Sequence, residues 1–146
     1  MKNEIYEYLI NYGFGKEILD RFEKLNEDMY FVSLDKVKEN INFFASKGLN
    51  NKEIISLANI NPFILTLSSK RKKAFDEIYV NKLNLSSDQI KYLLNNNSNI
   101  YTCSPLEFDK IIDYLNKHYS IDNIKQIILN NPNIINKKID EIVVII

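Results

Sequence analysis

A short phrase recurs along this chain and constrains its fold more than any other feature. It reads Leu49-Asn50-Asn51-Lys52-Glu53-Ile54, then Leu85-Ser86-Ser87-Asp88-Gln89-Ile90, then Tyr119-Ser120-Ile121-Asp122-Asn123-Ile124. Ile54 and Ile90 are 36 positions apart, and Ile90 and Ile124 are 34 apart. Self-similarity at this period marks a helical repeat, in which each unit buries its apolar face only by stacking on its neighbour.

Each phrase is a helix start. Asn50, Ser86 and Ser120 stand where a side-chain oxygen can accept a bond from a free backbone N–H. Glu53 and Gln89 occupy the third helical position and can reach back, completing a capping box; Asn123 is a weaker choice there. The residue before each cap (Leu49, Leu85, Tyr119) and the fourth helical residue (Ile54, Ile90, Ile124) are apolar, the pattern of a hydrophobic staple. A worn copy precedes them: Phe14, Gly15 as cap, then Leu19, which lies 35 positions before Ile54.

The copies also end alike, at Asn61-Pro62-Phe63-Ile64-Leu65, Ser98-Asn99-Ile100-Tyr101 and Asn131-Pro132-Asn133-Ile134-Ile135. Proline cannot donate the bond that would continue a helix, and it pushes its predecessor toward an extended backbone. A single apolar turn of 3₁₀ helix is expected next. A new cap follows, at Ser68 or Ser69 and again at Ser104, where Pro105 and Glu107 complete a strong helix start.

The expected fold is therefore all-α, a helical-repeat solenoid of about three to four helix–turn–helix units, each closed by a 3₁₀ turn. The pattern predicts long first helices near 34–47, 69–83 and 105–118, and second helices near 51–60, 87–97 and 121–131. Gly48 closes the first of the long helices, where a left-handed residue is required. Residues 1–33 form a degenerate leading repeat with helices at 3–12 and 16–25; 34–68, 69–104 and 105–136 are the repeats; 137–146 is a C-terminal cap helix. At 146 residues, this is read as one domain. Val143-Val144-Ile145-Ile146 has strand propensity but ends a helical stretch, and it is read as capping the stack.

The run from Ser46-Lys47-Gly48-Leu49 to Pro62-Phe63-Ile64-Leu65, with two fainter copies beside it, resembles the mitochondrial transcription termination factor (mTERF) repeat. The resemblance spans residues 34–136 and implies a stack of helical triplets curved into a left-handed half-ring. It implies nucleic-acid binding along a positive concave face. The chain departs from that pattern at Ser98, where proline is expected, and in its acidic, aromatic start Met1-Lys2-Asn3-Glu4-Ile5-Tyr6-Glu7, which lacks the composition of an organelle presequence.

Charge argues the other way. Lys+Arg and Asp+Glu both number 19, so the net charge is zero, whereas nucleic-acid-binding domains usually carry a basic excess. Only Arg21 and Arg71 are arginines, which makes sequence-specific base readout unlike this chain. Asn, Ile and Lys together make up about two-fifths of the residues, read as the coding bias of an AT-rich genome such as a low-GC bacterium or its phage. The run Asn95-Asn96-Asn97 is assigned to that bias and to a fraying helix end.

The candidate nucleic-acid contacts are Lys70, Arg71, Lys72 and Lys73, the one tight basic cluster, in the first turn of a helix where positive charge opposes the macrodipole. A choice that weakens the helix can be kept for a phosphate partner; the alternative is a solvated face, with Asp76 and Glu77 one turn on. Lys36 is one repeat before Lys72 and Lys91 one repeat before Lys125, so these lysines could form a stripe along the stack. The lone His118 reads as a helix-end cation, and the lone Cys103 as a small buried side chain with no base spaced to activate it. No catalytic grouping, metal-ligand spacing or phosphate loop is visible, so no enzyme, metal or cofactor is expected. The aromatics Tyr6, Tyr8, Tyr12, Phe14, Phe22, Tyr30 and Phe31 crowd the N-terminal part, as core or in part as a contact patch.

Two functions remain. One is a non-catalytic module that binds DNA or RNA through the phosphate backbone with little sequence specificity. The other is a protein-interaction scaffold, such as a phage or mobile-element inhibitor of a host nucleic-acid system. No apolar run is long enough to span a bilayer, and one cysteine suits a reducing compartment, so a cytoplasmic location is expected.

Overall fold

A computed structural model describes the backbone of residues 1–145 and the side chains through Ile142. The chain divides into two compact units, Met1–Leu67 and Ser68–Ile146. The first contains α1 (Asn3–Tyr12), α2 (Lys16–Leu25), a 3₁₀ turn (Glu27–Tyr30), α3 (Leu34–Ser46), α4 (Asn51–Ile60) and a second 3₁₀ turn (Pro62–Thr66). The second contains α5 (Ser69–Asp76) running into a π-helical segment (Glu77–Lys82), α6 (Ser87–Asn96), α7 (Pro105–Asn116), α8 (Ile121–Asn130), a 3₁₀ turn (Pro132–Asn136) and α9 (Ile139–Ile145). No strand occurs among the described residues. The side chains of 143–146, read as a cap, lie outside the described residues, as does Ile146 altogether.

The helix starts follow the capping chemistry. Asn50 accepts from the backbone N–H of Glu53 at 2.9 Å while Glu53 accepts from that of Asn50 at 3.1 Å. Ser86 and Gln89 form the same reciprocal box. Ser33, Ser68, Ser104 and Ser120 each accept from the third helical N–H, and no box closes at Ser120. A cap of this kind is worth about 1 kcal/mol.

The first helices of three repeats end in a left-handed residue at equivalent positions: Gly13 (φ 126°), Gly48 (φ 95°) and Asn84 (φ 52°). Asparagine is, with aspartate, among the few residues with a Cβ that visit that conformation readily. A Cβ added at Gly13 would lie 3.1 Å from Ile55 Cδ1, so this turn also demands the close approach of α4.

Three features depart from the sequence expectation. The leading repeat is complete, with its own 3₁₀ turn at Glu27–Tyr30 although no proline precedes it; the Asn26 side chain accepts from Asp28 N–H and sets the bend instead. In the middle repeat, where Ser98 replaces proline, residues 98–102 form hydrogen-bonded turns without becoming a 3₁₀ helix, and Thr102 and Cys103 N–H both reach Asn99 C=O at 3.0 Å. The helix expected at 69–83 widens into the π segment. Its caps, Ser68 and Ser86, are 18 positions apart, against 17 for Ser33 and Asn50 and 16 for Ser104 and Ser120. The extra residue is absorbed as a π-bulge, whose Leu83 N–H bonds back to Ile78 C=O at 2.9 Å.

That bulge sits against an aromatic core. Phe75 and Tyr79 stack at 5.6 Å, and Tyr101 meets both edge-on at 5.8 and 5.3 Å. Phe108 joins Tyr79 at 5.7 Å. Burying such rings contributes about 2–3 kcal/mol each, provided their hydroxyls are satisfied. Tyr101 donates to Asp76 Oδ1 at 2.7 Å and Tyr79 to the Ile100 carbonyl. Burial raises both phenol pKa values, Tyr79 well above the usual range.

Every second helix ends at an asparagine: Asn26, Asn61, Asn97 and Asn131. Asn26, fully buried, donates from Nδ2 to the Pro62 carbonyl at 3.3 Å and to Thr66 Oγ1 at 2.9 Å. Asn97 repeats the bond two repeats on, to the Pro132 carbonyl at 3.0 Å and Asn136 Oδ1 at 2.8 Å. The last residue of the asparagine run is therefore a buried tie between consecutive repeats, where composition suggested a fraying end.

Candidate nucleic-acid interface

The structure separates the seven candidate residues by what their charges already do. Lys70 and Lys73 are exposed on α5. Between them Lys72 turns inward and is only 8% exposed, because on a helix it falls on the same face as buried Phe75. Arg71 is half-buried, and its Nη1 donates to the Cys103 carbonyl at 2.5 Å. The four consecutive cations thus do not project together: helical rotation sends two outward, one inward and one to a backbone carbonyl.

The periodic lysines are engaged with their own fold. Lys36 Nζ pairs with Glu39 Oε2 at 2.9 Å, one turn along α3. Lys125 Nζ donates to the carbonyl of Asn84, the left-handed residue that ends the first helix of the preceding repeat, at 3.0 Å. An ammonium is favoured at such a C-terminal carbonyl by the helix dipole. Lys91, equivalent to Lys125, is half-buried on α6.

Two basic residues that sequence reasoning did not single out share the exposed side of the neighbouring helix. Lys110 and Lys117 are exposed on and just after α7, which packs against α5. They were hidden because they are scattered: only their three- and four-residue spacing with Leu106 and Asp113 places them on one face. Between the π segment and α7 lies an open groove lined by Ala74, Ile78, Pro105 and Leu106, bordered by the Lys82–Asp109 ion pair. The hydrogen bond that Lys82 donates to Asp109 raises its pKa, so this lysine stays charged.

Charge is unevenly divided. Residues 1–67 carry 8 basic and 10 acidic side chains, a net of −2, and residues 68–146 carry 11 and 9, a net of +2.

The sequence matches the mTERF family model over residues 2–144, nearly the whole chain. This chain belongs to the mTERF family. Family members are generally nucleic-acid-binding repeat proteins without catalytic activity, and the all-α repeat architecture described above is that of an mTERF-like fold. No curated protein gives a significant match to it. Among the described residues of this mTERF chain, no group of three His, Cys, Asp or Glu side chains is placed to hold a metal ion, and no helix is long and apolar enough to cross a membrane. Cys103 is half-buried, its Sγ 3.5 Å from the Ile135 carbonyl, and burial pushes its thiol up to about 11. His118, exposed just beyond α7, lies edge-on to Tyr114 at 5.2 Å.

Proposed function

We propose that this chain is a non-catalytic module that binds nucleic acid through its phosphate backbone, with little sequence specificity. The observation that carries the reading is the set of exposed lysines on and just after α5 and α7: Lys70, Lys73, Lys117 and Lys110, the last paired with Glu107 at 3.5 Å, against the exposed acids Glu77 and Asp113. Family membership supports the ligand class. Lys70 and Lys73 make the principal contacts. Arg71, Lys72, Lys36 and Lys125, whose heads are buried or serve the fold, and the half-buried Lys91 add positive field near the chain without direct contacts. Weak specificity follows from arginine: Arg71, the one arginine of residues 68–146, is held on a backbone carbonyl and is not free to read a base edge. A thiol held near 11 is not a nucleophile at neutral pH, which supports the non-catalytic reading.

Fluorescence anisotropy of labelled duplex DNA, single-stranded DNA and RNA against salt tests this. Neutralising three to four phosphates predicts a log–log slope of about −3 for duplex DNA. Lys70→Ala with Lys73→Ala should make that slope shallower by about 2 and weaken all sequences alike. Unchanged affinity and slope in the double variant would remove α5 from the interface, and no binding at low salt would remove the function.

A further inference from the structure

Arg71, the one arginine of residues 68–146, bridges two helix starts. Its backbone N–H donates to Ser68, the cap of α5, at 3.1 Å. Its Nη1 donates to the carbonyl of Cys103 at 2.5 Å, and Cys103 immediately precedes Ser104, the cap of α7. One side chain therefore joins the starts of the two helices that carry the exposed lysines Lys70, Lys73, Lys110 and Lys117 on them or just after. The same third helical position holds Lys36 in α3 and Glu107 in α7. Each of those makes an ion pair within its own helix, Lys36 with Glu39 at 2.9 Å and Glu107 with Lys110 at 3.5 Å. Arg71 crosses to the next repeat instead.

The turn that Arg71 grips is the one where Ser98 stands in place of proline, so no ring presets its backbone. Side chains of the preceding helix hold it. Tyr101 donates to Asp76 Oδ1 at 2.7 Å, and Tyr79 donates to the Ile100 carbonyl. Asp76 and Tyr79 lie about 8 and 12 Å beyond Arg71 along the helix. Arg71 acts at the other end, where Lys70 and Lys73 project. A guanidinium suits that task, because it is always charged and its planar fork fixes the direction of the bond as well as its length.

We propose that Arg71 is a positioning residue for the nucleic-acid interface: by joining the starts of α5 and α7 it holds the lysines of both helices at one offset, so that the two pairs meet a single phosphate backbone together. The inference rests on the reading of those lysines as the interface. Phosphates along a strand are regularly spaced, so two helices neutralise neighbouring charges at once only when their offset is fixed. Contact by one pair then presents the other at high effective concentration. Such preorganisation raises affinity although Arg71 itself touches no phosphate.

The test is a double-mutant cycle read by anisotropy with a labelled DNA duplex at low salt. Lys110→Ala with Lys117→Ala is made in the wild type and in Arg71→Met. The lysine pair should weaken binding about tenfold in the wild type and less than about threefold in Arg71→Met, where the α7 pair is already out of step. Arg71→Met alone should make the salt slope shallower by about 2, more than one lost phosphate contact explains. Melting curves are checked first; Arg71→Gln, too short to reach the Cys103 carbonyl but polar at this half-buried position, takes the place of a Met variant that does not fold. A merely structural role would lower the melting temperature and leave the slope and the cycle unmoved. A direct phosphate contact would change the slope by about 1 and leave the cycle additive. Either result overturns the proposal alone, whereas a wild type that binds no duplex at low salt overturns the nucleic-acid reading with it.

Discussion

Replacing Asn97 by alanine tests whether the buried asparagines hold consecutive repeats together. Asn97 accepts from Asn99 N–H at 3.0 Å and donates to the Pro132 carbonyl at 3.0 Å and to Asn136 Oδ1 at 2.8 Å. Each bond contributes about 0.5–1.5 kcal/mol net. Asn99 and Asn136 are exposed and can turn to water once the amide is gone, which discounts two of the three losses, while Pro132 is half-buried. The expected cost is therefore about 1–2 kcal/mol, which for a chain of this length lowers the melting temperature by roughly 3–8 °C. Asn131 is the internal comparison. It stands at the same place in the last repeat but is exposed, and its Nδ2 bonds back to Ile127 of its own helix at 3.2 Å. Asn131→Ala should cost less than about 1 kcal/mol.

The assay is urea unfolding followed by far-ultraviolet circular dichroism, with the midpoint compared at constant slope. Asn97→Asp refines it. The aspartate keeps the acceptor for Asn99 N–H but sets a carboxylate against two oxygens, so its folded-state pKa is raised. A raised pKa means the stability is present below the unfolded value of about 3.9 and is lost as pH rises through the folded one. Asn97→Asp should thus be worse than Asn97→Ala at pH 7 and recover in acid. If Asn97→Ala and Asn131→Ala differ by less than about 0.5 kcal/mol, the tie between repeats contributes nothing and the reasoning fails.

Further outcomes follow from single positions. Gly48→Ala places a Cβ at φ 95° and should cost about 1–2 kcal/mol, whereas Asn84→Gly, at φ 52°, should be neutral or slightly stabilising; urea midpoints distinguish them. Cys103, with its thiol near 11, should react with a disulfide reagent at pH 8 about two orders of magnitude more slowly than a free cysteine, and a rate within tenfold of the free thiol would contradict its burial. Lys125→Met removes the bond to the Asn84 carbonyl, so it should lower the melting temperature by a few degrees while leaving the salt slope of nucleic-acid binding unchanged; a slope shallower by about 1 would place Lys125 in the interface instead.

What was legible in the sequence was local or counted by residue type. Asn50 with Glu53 and Ser86 with Gln89 announce helix starts within four residues, and the two boxes form as written. The π segment was invisible to propensity, because nothing in Glu77–Lys82 disfavours an α-helix; only the spacing of 18 between caps records the extra residue. Asn97 was misread because asparagine is abundant here, so its neighbours Asn95 and Asn96 disguised it. Yet Asn26, Asn61, Asn97 and Asn131 recur at intervals of 35, 36 and 34, the period of the helix caps themselves. Helical geometry disperses Lys70-Arg71-Lys72-Lys73 by 100° per residue, but the neighbour each side chain meets, such as the Cys103 carbonyl for Arg71, was not legible.

Periodicity therefore cuts against function in a repeat protein. A residue that recurs from repeat to repeat can meet equivalent neighbours, as Asn26 and Asn97 do, and those neighbours belong to the fold. Lys125 meets the carbonyl that ends the preceding helix, and Asn26 and Asn97 meet the carbonyl of the following proline turn. The features left for a ligand are the ones that break the period. Lys70 and Lys73 have Leu106 and Asp109 at the equivalent places of the next repeat. Breaking the register leaves these side chains outside the contacts that recur from repeat to repeat, which makes them the positions to test first for a ligand. The same division resolves the zero net charge: each unit departs from neutrality by two charges in opposite senses, and a sum over the chain hides both. At physiological salt, charges act over about 8 Å, so a ligand responds to the local face it meets and not to the total.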